Sequence, residues 1–344
     1  MNYGFWISGA SPNYQLPITN HQSPLTWIFI VGRKNRMTLG ILAIVLALLP
    51  VLVRNPYYLG VLVFVGIYSL ITIGLSMLMG YAGQISLGHA GFFAIGAYTS
   101  GLLTTKGGFP PLFAFLVAIL LTACVAFLIG VPSLKLRGHY LAMATLGFGE
   151  IVHIALNASV DLTGGPSGFG EIPRIALGGL LVESALSRYY LVYALVIIAL
   201  LLSLNIVHSR VGRALRSIHG SELAASAMGV NTARYKVQVF VLSAIYASVA
   251  GSLYAHFITF ISPGSFDLTF SVLLVTMVVI GGMSSVWGAL MGTALLGLLP
   301  EVLRGFKDYD ILIYGAILLL MMMFMPDGLF GLSQRLFVRR SARS

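Results

Sequence analysis

The chain has 344 residues, of which 58% are hydrophobic and only 9% charged, with a mean hydropathy of +0.94 and a net charge of +10. Soluble domains carry about 25% charged residues, so a water-soluble fold would lack polar surface, and a bilayer is the solvent that fits. The basic excess is therefore read as membrane topology rather than nucleic-acid binding, and the single cysteine, Cys124, excludes an intrachain disulfide.

Residues 1–36 are rich in Pro, Asn, Gln and Ser and read as a poorly ordered cytoplasmic arm, with Trp6 and Trp27 as interface anchors. They do not read as a signal peptide, because the cluster Arg33, Lys34 and Arg36 comes late and leads straight into the first apolar run. A spanning helix needs about 20 mostly apolar residues. Such runs fall at 37–53, 58–79, 86–105, 110–131, 139–158, 189–207, 236–260, 268–283, 286–303 and 310–325. The expectation is an all-α polytopic membrane protein of about ten transmembrane helices, some broken by Gly-rich segments. A transmembrane domain would cover 37–331, followed by a basic cytoplasmic tail at 332–344.

An even number of spans puts both termini on one side. Loops on that side hold Arg33, Lys34, Arg36, Lys135, Arg137, Arg210, Arg213, Arg216, Arg234, Lys236, Arg335, Arg339, Arg340 and Arg343. Only Arg54, Lys106, Arg174, Arg188, Arg304 and Lys307 fall opposite, where most acids also lie. Positive loops stay in the cytoplasm, so both ends are expected there. Two connections exceed a turn: a periplasmic loop at 159–188 and a cytoplasmic loop at 208–235.

The chain contains no G-x-x-x-x-G-K-[ST], H-E-x-x-H, C-x-x-C or G-x-G-x-x-G. It therefore brings no nucleotide site, metal or cofactor motif of its own. Glu150 is the one carboxylate expected within a span, with His153 or backbone groups as its partners. Ion-coupled carriers use more buried ionisable groups than this. Gly165-Pro166-Ser167-Gly168 matches the G-x-S-G of intramembrane serine proteases, but it falls in a polar loop of turn-forming residues and is read as a turn.

Three segments carry function. Gly80, Gly83, Gln84, Ser86, Gly88 and His89 form an uncharged Gly-rich break between two apolar runs, and Gly281, Gly282, Ser284 and Ser285 form a second one. Such breaks expose backbone to a polar solute or serve as small-residue packing seams, and the sequence leaves both readings open. With Glu150, these are the candidates for a translocation path. In the third segment, Ser221 is placed to cap a helix that begins at Glu222 and stops at Gly229. That helix would dock in a groove of another protein; an ordinary amphipathic linker is the alternative.

Taken in order, Gly80–Tyr98, Ser133–Ile151, Leu162–Gly168, Gly212–Gly229 and Ile280–Gly292 resemble the permeases of bacterial ABC importers for branched-chain amino acids, and in particular the second of the two paired permeases. The resemblance covers about 37–331. It departs from the family at Ser284 and Ser285, where Gly-Ser is frequent, and in the arm before Arg33. It implies a multi-pass subunit of the bacterial inner membrane that is not an enzyme. Its partners would be a second permease, two cytoplasmic ATP-binding subunits and a periplasmic substrate-binding protein. ATP would be bound by the partner subunits. Gly212, Arg213, Arg216, Glu222, Ala224, Ala225 and Gly229 match the loop that couples the ATPase to the membrane. The solute implied is a branched-chain or other hydrophobic amino acid, with urea or short amides as the alternative in the same family. An ion-coupled carrier or intramembrane enzyme is the remaining reading.

Overall fold

The computed structural model describes residues 33–304, apart from 54, 137, 178–179 and 182–183, together with scattered positions between 313 and 331. Most of the N-terminal arm, the run at 310–325 and the basic tail lie outside the described residues.

The helices begin and end where local chemistry dictates. α1 (Arg33–Leu52) is followed by α2 (Pro56–Ser76), which starts on Pro56 with the Asn55 side chain accepting from the Tyr57 N–H. α3 (His89–Thr105) and α4 (Pro111–Ser133) precede α5 (His139–Ala158) and the single turn α6 (Val160–Thr163). α7 (Ala185–His208) is capped by Ser184, whose side chain accepts from the Ser187 N–H. α8 (Arg210–Gly220) and α9 (Glu222–Ala227) fill the connection to α10 (Thr232–Ile258), which Asn231 caps. α11 (Leu268–Gly281), capped by Asp267, and α12 (Val286–Leu303) complete the described bundle. β1 (Ala176–Leu177) and β2 (Leu180–Leu181) make a two-residue antiparallel ladder between α6 and α7.

Among the described residues, seven helices are long and apolar enough to cross a membrane: α2 with its C-terminal extension, α4, α5, α7, α10, α11 with the turn before it, and α12. α1 and α3 occupy two further expected runs but are shorter as apolar helices. α2 is buried over 78% of its apolar window, against 22% for α4 and 17% for α5, so α2 is central and α4 and α5 are outer. Lipid or partner subunits must cover the outer faces.

Small residues set the central packing. Gly251 of α10 lies against the Phe93 carbonyl and Ala97 N–H of α3, and Gly96 of α3 lies against Ser248, leaving no room for a β-carbon. Close approach of this kind replaces the hydrophobic driving force that lipid removes. Hydroxyls stitch the same seam: Ser252 donates to the Gly96 carbonyl at 3.2 Å, and Ser100 pairs with His256 Nε2 at 2.9 Å. Thr72 of α2 and Thr293 of α12 pair at 2.7 Å in the core.

Two expectations need correction. The third helix starts at His89 rather than 86, because residues 83–88 are not helical. Lys236 is not a loop cation: it lies in α10, is 2% exposed, and is paired with Glu222.

Candidate functional site at two glycine breaks and a basic helix pair

The first break begins as α2 passes into a π-turn at Met77–Tyr81. Such turns widen the helix and recur at functional positions. Gly83, at φ +67°, then reverses the chain, a conformation that glycine adopts without a steric penalty. Gln84 closes the turn: its N–H donates to the Leu78 carbonyl at 3.1 Å and its Nε2 to the Ala82 carbonyl at 3.0 Å. The chain next runs back into the bundle. The Leu87 N–H donates to Thr145 Oγ1 at 3.0 Å, and Gly88 abuts the Thr145 carbonyl on α5.

α3 therefore begins inside the bundle. His89 contacts Ser243, eleven residues into α10, or roughly 16 Å along its axis at 1.5 Å per residue. A helix starting there needs partners for its free N–H groups. The Ala90 N–H donates to Ser271 Oγ of α11 at 3.1 Å, and the Gly91 N–H to the Gly88 carbonyl. His89 is 1% exposed, with Ser86 at 3.1 Å from Nδ1 and Ser243 at 2.6 Å from Nε2. Ser86, Gly88 and His89 thus sit in this subunit's own packing, whereas Gly83 is exposed and Gly80 and Gln84 half-buried.

The second break lies beside the first. Gly80 packs against the Met283 carbonyl with no space for a side chain. Gly282, at φ +112°, turns the chain out of α11, Ser284 is exposed, and Ser285 precedes α12. Gly281 meets the Gly288 carbonyl and the Gly292 N–H, so Gly288 and Gly292 act as the small-residue face that lets α12 cross α11 closely.

The helix pair α8–α9 is joined to these breaks. Gly212 sits over the Val207 carbonyl at the turn from α7, and Ser209 caps α8 by accepting from the Val211 N–H at 3.1 Å. Arg216 donates to the Val207 carbonyl at 2.7 Å and lies 5.7 Å from the Tyr81 ring centroid, within cation–π range. A β-carbon on Gly83 would come within 2.9 Å of His219 Nδ1. α8 thus touches the end of α2 at two points.

α9 forms as its cap residues dictate. Ser221 Oγ accepts from the Ala224 N–H at 3.3 Å, and Gly229, at φ +83°, ends the helix. Lys236 Nζ donates to Glu222 Oε1 at 2.8 Å and fastens α9 to α10. Ala225 is 1% exposed and faces the subunit interior, while Arg213, Ala224 and Gly229 face outward. Leu223 at 70% and Met228 at 72% exposure supply the large apolar side chains of the outer face. Glu150 is exposed on α5 and has no polar partner among the described residues; His153, expected beside it, has its Nε2 3.0 Å from Asn157 instead. The helical spacing from 153 to 157 favours that pair as much as 150 to 153, and Asn157 offers a neutral donor.

Sequence reading missed Tyr81, His219, Lys236, Leu223 and Met228. Leu223 and Met228 had a signal, since they are the large apolar residues of an Ala-rich stretch. Tyr81 and His219 had none, because their contacts, with Arg216 and Gly83 respectively, join distant segments. Gly165-Pro166-Ser167-Gly168 is a turn, with Gly165 and Gly168 at positive φ around a short 3₁₀ segment.

Apolar helices interrupted by two adjoining glycine breaks and tied to a basic exposed helix pair define a multi-pass membrane protein of the permease class. Residues 57–326 match the family model described as branched-chain amino acid transport system / permease component, and the chain belongs to that family. It is similar to the high-affinity branched-chain amino acid transport system permease protein LivM of Escherichia coli (strain K12), 35% identical over 78% of this chain and 68% of the relative. The LivH permease protein of Salmonella typhimurium is 27% identical over 77% of this chain and 91% of the relative. A probable LivM permease of Methanocaldococcus jannaschii is 23% identical over 78% and 92%. No solved structure matches the chain.

Proposed function

We propose that this chain is the membrane-spanning permease subunit of an ABC importer for branched-chain or other hydrophobic amino acids in the bacterial inner membrane. A second permease would complete the path, a periplasmic protein would deliver solute, and two cytoplasmic ATPases, which alone bind ATP, would supply energy. The observation that carries this reading is the mechanical continuity from α8–α9 to the glycine breaks. Leu223 and Met228 present apolar knobs outward, suited to a groove on an ATPase. Arg216 and His219 of α8 contact Tyr81 and Gly83, and Gly80 contacts Met283. A displacement of the helix pair therefore reaches both breaks through packed contacts. Glycine breaks suit a neutral or zwitterionic solute, because backbone groups meet polar atoms without adding charge. The basic side, with Arg210, Arg213, Arg216 and Arg234, would face the cytoplasm. Arg213, Arg216, Glu222 and Ala225 then serve to hold and present the docking face rather than perform chemistry.

The test is reconstitution of the full complex in proteoliposomes, with leucine and urea uptake measured with and without ATP. ATP-dependent leucine uptake is expected. ATP-dependent urea uptake without leucine uptake would replace the solute assignment, and leucine uptake that ignores ATP would reject the ABC assignment.

A further inference from the structure

Between α4 and the first half of α10 runs a groove of about 950 Å³ on the outside of the bundle. Its walls are two apolar stripes at helical spacing: Phe127 and Val131 on α4, and Val237, Val241 and Ile245 on α10. Phe127 is 54% and Val131 41% exposed, so nothing among the described residues covers them. From Arg234 to Ile245 the groove follows α10 for roughly 16 Å at 1.5 Å per residue. That matches one leaflet, half of a hydrocarbon core about 30 Å thick.

Polarity is confined to one end. Lys135, Arg234 and Gln238 are exposed there, and neither cation has a carboxylate partner among the described residues. The one acid in the lining, Glu222, is paired with buried Lys236 at 2.8 Å and adds no net charge. The groove is thus apolar for the depth of a leaflet and carries two positive charges at the depth of a headgroup. An amphiphile with an acidic head fits this pattern; a protein helix would not need the charge at one end alone.

We propose that this groove holds one membrane phospholipid with an acidic headgroup, its phosphate between Lys135 and Arg234 and an acyl chain against Val131, Val241 and Ile245. Basic pockets between membrane helices on the positively charged side recognise acidic lipids in this way. The site adjoins the Glu222–Lys236 fastener, so lipid occupancy bears on how firmly α9 is held.

The intact complex in detergent is titrated with phosphatidylglycerol and with phosphatidylcholine of identical acyl chains, and bound lipid is counted by native mass spectrometry. Phosphatidylglycerol should bind more tightly, and Lys135→Gln and Arg234→Gln should each weaken it about fivefold. Val241→Trp, which fills the apolar part, should abolish it. The two charge variants lie on exposed positions and remain informative if Val241→Trp fails to insert. Equal affinity for both lipids, or phosphatidylglycerol binding indifferent to both charge variants, would overturn the proposal. Displacement of the lipid by glycerol phosphate alone would assign the cations to a soluble anion and likewise overturn it. Loss of a protein subunit from the Val241→Trp complex with an unchanged lipid count would make the groove a subunit interface instead.

Discussion

The Glu222–Lys236 pair offers an asymmetric test of how α9 is held. The two side chains differ in burial, with Lys236 at 3% and Glu222 at 22% exposure. Glu222→Ala strands an ammonium away from water, and removal of one partner from a buried pair costs about 3–5 kcal/mol. Lys236→Met replaces the buried charge with an apolar chain of similar length and leaves Glu222 with access to water, a loss of about 1–2 kcal/mol. The double variant Glu222→Ala with Lys236→Met buries no charge and should resemble Lys236→Met alone. The cycle then shows a coupling of about 3–5 kcal/mol, at or above the top of the range for directly contacting residues. Unfolding midpoints of the four proteins in detergent, followed by fluorescence, read the order directly. Equal losses from the two single variants, or a double variant equal to their sum, would refute the desolvation argument. Uptake by the reconstituted complex should fall in Glu222→Ala even below its unfolding midpoint, because α9 loses its tie to α10.

Four further outcomes are expected. Gly80→Val drives a side chain into the Met283 backbone and should destabilise the bundle by about 1–3 kcal/mol, seen as a lower unfolding midpoint; an unchanged midpoint would mean the two breaks do not touch. Leu223→Asp with Met228→Asp should cut ATP-driven uptake at least tenfold while changing stability by no more than about 0.5 kcal/mol, as for exposed sites, whereas Ala225→Asp buries a charge and should prevent accumulation of folded protein. Glu150→Gln removes an exposed carboxylate from the middle of an apolar helix, so uptake should fall with no loss of stability; full uptake would show the charge to be dispensable to transport.

Much of the site was legible from local rules. Ser221 as a cap, Gly229 as a stop and the two glycine breaks are all where short-range chemistry puts them, because each depends on residues within one or two turns. The turn at Gly165–Gly168 was readable for the same reason. Roles that depend on what lies across the bundle were not. Ala224 and Ala225 are neighbours of one type, yet one faces outward and the other is buried, and only the packing of α9 on α8 and α10 separates them. His89 sits in a polar Gly-rich segment for which solute contact and helix packing were both open from sequence, and its ring is enclosed between Ser86 and Ser243.

Solvent and building material follow from composition and hydropathy alone. Few charges and long apolar runs demand a bilayer, and a bilayer demands helices whose backbone bonds are closed within each segment. Tertiary structure decided which of those segments meet. The contact of Gly80 with Met283, the return of the chain into the bundle before His89, and the burial of Lys236 on Glu222 each join residues far apart in the chain. Hydropathy along one chain records how much surface avoids water, but a lipid-facing and a helix-facing residue are equally apolar, so only packing distinguishes them.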